Sequence, residues 1–254
     1  MKKVVWYLVK FFKEEQHADQ FIAGQLYLNR LSYYKKVDDE VDDGRRDETE
    51  AVAMWWQPDD IVIKLNVPGI GETEITKKDL AGPVSVSFNN SSYLHVFCMY
   101  AIHTSGFECI DGKIDYTEED ADILKNQLEI DDRCFKFGRF AVVTPAVPFL
   151  DHVKQSLQSK KYGFIGKLVK YYDDESFHGE IDVKELPFWK QKRFSYQHEF
   201  RICISPKTMD DEAITIDIGD IKHICAKTES ANLNSLFKID SIKLPIDQNG
   251  SSSS

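Results

Sequence analysis

Runs of β-branched and aromatic residues recur along this chain with few helical segments between them, and that ratio restricts its architecture more than any other feature. Val4–Phe12, Gln25–Arg30, Ile61–Val67, Val84–Phe88, Tyr93–Ile102, Phe135–Val143 and Phe164–Tyr171 read as strands, followed by Phe200–Ile204, Ile214–Ile218, His223–Ala226 and Ser241–Leu244. Glu14–Ala23 reads as a helix, with acidic residues in its first turn and Gly24 as its stop; Glu118–Leu128, Phe149–Ser159 and Asn232–Phe237 follow the same pattern. Leu31–Lys36 reads as a turn of helix, and the polar, aperiodic stretch Asp38–Glu50 as a loop. Strands that seldom alternate with helices pair mainly antiparallel, so the expected class is α+β and not a doubly wound parallel sheet. With 254 residues and 42% hydrophobic content the chain can bury one sizeable core. We expect a single domain over residues 1–246 and a flexible tail over 247–254, where Gly250–Ser254 has no side chains to pack.

Several functional classes find no support. No apolar window approaches the ~20 residues that span a bilayer, and Met1–Tyr7 enters a strand instead of a signal-peptide core, so a soluble chain is expected. The five cysteines, Cys98, Cys109, Cys134, Cys203 and Cys225, are odd in number, far apart and mostly inside apolar runs, which fits a reducing cytoplasmic setting. Cys-x-x-Cys, His-x-x-x-His and His-Glu-x-x-His spacings are missing, so no metal is expected. The glycine loops that cradle dinucleotide or triphosphate phosphates are missing too.

One segment points to chemistry. Gln197-His198-Glu199 opens the apolar run Phe200–Ile204, and strand alternation would set Gln197 and Glu199 on one face with His198, packed or solvated, on the other. A carboxylate beside a buried strand needs a partner or a use. Arg201, two places on along the same face, would serve as a purely structural partner. The lead-in Lys190–Tyr196 interleaves Lys190, Lys192 and Arg193 with Phe194 and Tyr196, against a formal net charge of −10 for the chain. Phosphate contacts and base stacking use such a surface; ordinary solvated charge is the alternative.

Taken in order, Val9–Phe12, Gly24–Asn29, Ser32–Tyr34, Arg46–Glu50, His95–Tyr100 and Lys190–Ile204 resemble ADP-ribosyltransferase-fold bacterial toxins of the DarT type. The resemblance implies a split antiparallel sheet, NAD as co-substrate, and Glu199 as the catalytic glutamate with Gln197 at the preceding position of its Gln-x-Glu motif. It implies that Arg46, or its neighbour Arg45, sits near the glutamate and the dinucleotide. Lys10 falls where the family commonly has an arginine or histidine; a lysine offers a point charge in place of a fork. Tyr33, Tyr34 and Tyr100 become candidates for closing the NAD pocket, with core packing as the alternative for each. Lys190, Lys192, Arg193 and Tyr196 would contact the target.

The expected activity is transfer of ADP-ribose to a macromolecule, nucleic acid before protein and RNA before DNA, by a toxin of anti-phage defence held by an antitoxin protein with a chaperone. An NAD glycohydrolase and a non-catalytic binding module of the same fold are the alternatives.

Overall fold

The computed structural model describes residues 3–36, 46–89, 93–107, 109, 110, 113, 114, 116–205, 208, 210 and 212–237. Arg45, the strand expected at Ser241–Leu244 and the tail 247–254 lie outside the described residues. An antiparallel sheet of eight strands organises the chain: β1 Lys3–Phe12, β2 Gln25–Arg30, β3 His95–Ser105, β4 Phe140–Pro145, β5 Phe164–Leu168, β6 Glu199–Ile204, β7 Ile214–Asp217 and β8 Ala226–Glu229. The spatial order is β5-β6-β3-β1-β4-β8, with β2 pairing β3 and β7 pairing β2. The class is α+β, as expected.

Alternation along β1 sends Leu8 and Val9 to opposite faces, and each finds a core. On the Leu8 side, Ala18 and Phe21 of helix Glu15–Ile22 and Phe149, Val153 and Leu157 of helix Ala146–Ser159 close over Phe97, Val142 and Ile202. Each such side chain contributes ~1.5–3 kcal/mol by leaving water. On the Val9 side a smaller cluster gathers Tyr100, Ile102, Ile130, Cys134, Ala141, Val143 and Leu233. Helix Glu118–Leu128 starts from a capping box in which Thr117 and Asp120 exchange side-chain to backbone bonds of 3.3 and 3.2 Å.

Gly24 ends the first helix with φ +97°, and a Cβ there would lie 2.1 Å from the Gly219 carbonyl oxygen. Only glycine meets both demands.

Three strand expectations need correction. Phe135–Phe137 belongs to a 3-10 turn over Asp132–Phe137, capped by the Asp131 side chain, and the strand begins at Phe140. Between them Gly138 passes so close to β1 that a Cβ would lie 2.2 Å from the Phe12 backbone. The run Phe164–Tyr171 divides at Val169, whose N–H donates to the Glu199 carbonyl; Lys170–Tyr172 then leaves to pair in parallel with Trp189–Gln191. His223 lies in a 3-10 turn, Lys222–Ile224, which the Asp220 carboxylate caps, so the strand starts later, at Ala226. A strand at Val52–Trp56, not anticipated, pairs with Val84–Ser87 and Gly179–Glu180 beside the main sheet.

The sheet opens at one place. β1 pairs with β3 as far as Val9↔Tyr100, and β2 pairs with β3 at Asn29↔Val96 and Arg30↔His95. Residues 97–99 of β3 lie between these two pairings, which leaves a gap in the ladder. Backbone groups in such a gap need other partners. The Lys10 ammonium supplies one, donating to the Cys98 carbonyl at 2.7 Å.

Candidate active site

A cleft of about 160 Å³ occupies the opening between β1, β2 and β3. Val9, Lys10, Phe11, Asn29, Cys98, Met99 and Tyr100 line it from the sheet, Tyr33 and Tyr34 from the turn after β2, and Phe137 from the 3-10 turn. Lys190, Gln197 and Glu199 complete its wall. Lys10, Tyr33, Tyr34, Tyr100, Gln197 and Glu199, chosen from four separate segments of sequence, therefore meet around one space.

Gln197 and Glu199 reach it by a different route from simple alternation. Gln197 ends a 3-10 helix, Lys192–Gln197; His198 takes the left-handed conformation with φ 38°, ψ 46°; the strand starts only at Glu199. This turn in the backbone brings both side chains to the same ammonium: Lys190 Nζ donates to Gln197 Oε1 at 2.8 Å and to Glu199 Oε2 at 3.4 Å. His198 packs, as expected, with its ring stacked between Tyr100 at 5.4 Å and His103 at 5.2 Å.

Glu199 is held by the partner that alternation offered. Arg201 donates from Nε to Glu199 Oε1 at 2.7 Å and from Nη2 to Oε2 at 3.3 Å. The same guanidinium grips Glu50 through Nη1 at 2.6 Å and Nη2 at 2.8 Å, and donates from Nη1 to the Pro187 carbonyl at 2.7 Å. All five of its N–H groups are thus engaged. Glu50, Glu199, Arg201 and Lys190 are all buried and their formal charges cancel. Paired this way, charges can stay in an interior that otherwise excludes them.

Electrostatics separates the two carboxylates. Burial pushes Glu199 up, but Arg201 and then Lys190 outweigh it and hold the carboxyl far below the usual range. For Glu50 burial wins over Arg201 and leaves the carboxyl raised. The guanidinium and ammonium partners therefore favour the anionic form of Glu199. Burial and the nearby Glu199 charge push the Cys98 thiol up to about 12, so it is no nucleophile. Burial, then Cys98, raises Tyr34 well above an ordinary phenol.

Other expected site residues fall elsewhere. Arg46 does not line the cleft; it is 41% exposed and pairs with Glu48 at 2.8 Å. The guanidinium beside Glu199 is Arg201, and its loop partner is Glu50. Lys190, expected on a target-binding surface, is buried, with the Phe194 ring 4.5 Å from its Nζ. Lys192 and Arg193 are exposed, Lys192 pairing with Asp173 at 3.0 Å and Arg193 lying over Phe194. Tyr196 is half-buried and does not line the cleft; its hydroxyl accepts from Gln197 Nε2 at 3.3 Å. Lys190 carried one signal of its inner position: it is followed at i+4 by an aromatic and at i+7 and i+9 by the Gln-x-Glu pair.

Among the described residues no group of three His, Cys, Asp or Glu side chains could hold a metal ion, and no helix is long and apolar enough to cross a membrane. Comparison with protein-family models, with curated proteins and with solved structures returns no match to this chain.

Proposed function

We propose that this protein is an NAD-consuming ADP-ribosyltransferase whose acceptor is a macromolecule, with nucleic acid favoured. The observation that carries the reading is the meeting of Lys10, Tyr33, Tyr34, Gln197 and Glu199, whose anionic form Arg201 and Lys190 favour, in one cleft where the sheet opens. Breaking the bond between nicotinamide and ribose leaves positive charge on the sugar, and a fixed anion beside it lowers that barrier. Nicotinamide leaves with the bonding pair, the acceptor's lone pair closes onto the anomeric carbon, and the acceptor's proton passes to water. Tyr33 and Tyr34, packed edge to face with centroids 5.4 Å apart, supply aromatic surface to the cleft. Lys10 offers a single positive charge to a phosphate or hydroxyl at the edge of β1.

For Glu199 to act, its carboxylate must face the sugar while Arg201 and Lys190 keep it charged. The Cys98 thiol, which lines the cleft and hydrogen-bonds the Glu199 carboxylate, is the weak donor that an entering ribose hydroxyl would replace. A toxin of this kind would harm a bacterial host on expression and would need an antitoxin, with RNA ahead of DNA as its target.

A binding module without turnover is the second reading, favoured by the saturation of Arg201, whose five donors leave it nothing to offer a diphosphate. Incubation with labelled NAD and separate pools of RNA, DNA and lysate protein distinguishes these. Label on a macromolecule supports transfer; label only in free ADP-ribose makes the protein a glycohydrolase; NAD left intact in every pool refutes both activities.

A further inference from the structure

Over Tyr196, the neighbour in sequence of the cleft residue Gln197, lies a solvent-facing cation that neither the Glu199 network nor the NAD reading uses. The guanidinium carbon of Arg133 lies 4.0 Å from the centre of the Tyr196 ring, and the Arg133 side chain is 59% exposed. Asp131 fixes the plane of that guanidinium. Its carboxylate accepts from Arg133 Nε at 2.9 Å and Nη2 at 2.6 Å, and its Oδ1 also accepts from the Arg133 backbone N–H at 3.0 Å. The charge is therefore balanced and the orientation set before anything binds.

Tyr196 joins this surface to the chemistry. Its hydroxyl accepts from Gln197 Nε2 and its carbonyl accepts from the Cys134 thiol at 3.5 Å, which ties the 3-10 turn that carries Tyr196 to the one that carries Arg133. We propose that Arg133 and Tyr196 form a stacking platform for an unpaired nucleobase of single-stranded nucleic acid, RNA or DNA alike, next to the acceptor position. The inference rests on the acceptor half of the proposed function.

The partner's chemistry follows from what the platform offers. A guanidinium stacked on an aromatic ring presents a further flat face, and bases stack on such planes regardless of sequence. A duplex hides those faces inside its own stack. Phosphate is a poor match, because Asp131 stands beside Arg133, Lys192 is already paired with Asp173, and the chain carries a net charge of −10. Binding by stacking with little phosphate contact predicts affinity that depends only weakly on salt.

The test is the affinity of the full chain for a fluorescent single-stranded oligoadenylate, as RNA and as DNA, by anisotropy at low and moderate salt. Arg133→Ala is expected to weaken binding of both strands on the order of tenfold, the loss of about one stacked base, without altering the salt slope. Arg133→Lys should not restore it, because an ammonium has no plane. Tyr196→Phe, which keeps the ring, should bind like the wild type. Melting midpoints close to the wild-type value establish that the variants are folded, as expected for the exposed Arg133 and for a Tyr196 substitution that keeps the ring. No binding by the wild-type chain, unchanged affinity in Arg133→Ala, or a drop in salt slope of about one contact would overturn the proposal. Nicotinamide release from NAD by the wild-type chain is measured in parallel. Release without Arg133-dependent binding sinks the platform and leaves the reaction standing; Arg133-dependent binding without release does the reverse.

Discussion

Replacing Arg201 by Met removes the fork that joins Glu50 to Glu199 and leaves a side chain of similar reach in its place. Two buried carboxylates and the Pro187 carbonyl lose their donor together, and Glu199 keeps the Lys190 ammonium and the weak Cys98 thiol. Breaking a buried ion pair from one side costs about 3–5 kcal/mol. The loss is bounded at that level, because Glu50, whose carboxyl burial already raises, escapes the worst of it by taking up a proton. For a chain of this length each kcal/mol moves the melting midpoint by about 2–4 °C, so a fall of about 6–20 °C is expected at pH 7. Acid should then narrow the gap. In the wild type Glu199 is depressed, so its contribution is present above the ordinary glutamate value of 4.5 and is lost only as pH falls below it. In the variant burial acts on both carboxyls with the guanidinium gone and Lys190 left as the nearby cation, so their protonation becomes easier, and the penalty is largest at high pH and is relieved as pH falls. Thermal melts of both proteins between pH 7 and pH 5 measure this. A variant within about 2 °C of the wild type at pH 7, or a gap that widens on acidification, would refute the account of the buried network.

Other consequences are simpler to test. Gly24→Ala should cost more than the ~1 kcal/mol of an ordinary loop substitution, since φ is positive and the new Cβ would meet the Gly219 carbonyl; urea unfolding with an unchanged m value reads it. Arg46→Ser, at an exposed pair with Glu48, should change stability by no more than about 0.5 kcal/mol and leave NAD turnover near the wild-type rate. Lys190→Met should lower NAD turnover far more than Lys192→Ser, because only Lys190 touches Gln197 and Glu199; initial rates of nicotinamide release compare them.

Legibility in the sequence followed the range of the interactions. Where one element decides its own structure, the reading held: β1, β2, the Gly24 stop, β3 and helix Glu118–Leu128 follow from period, caps and turn residues. The Glu199–Arg201 contact was also visible, because residues two apart on a strand share a face. The third member of that network was not. Glu50 reaches Arg201 across 151 positions of chain, from a loop whose path no local pattern fixes. Arg46, a more conspicuous residue in the same stretch, drew attention that belonged to its neighbour. Lys190 looked like surface charge because lysines usually are, and its burial depends on Phe194, Gln197 and Glu199 closing around it. Gln197 and Glu199 share a neighbour, as strand alternation implies, but it is the left-handed turn at His198 and not a regular strand that brings them together.

The central claim is that the Glu199 carboxylate stabilises the sugar of NAD as nicotinamide departs. Rates of nicotinamide release by the wild type and Glu199→Gln, normalised to the folded fraction of each, test it most directly. The account predicts measurable release by the wild type and a fall on the order of 10²-fold or more in the variant. Equal rates in the two proteins, or no release by a folded wild-type chain with any acceptor, would contradict it.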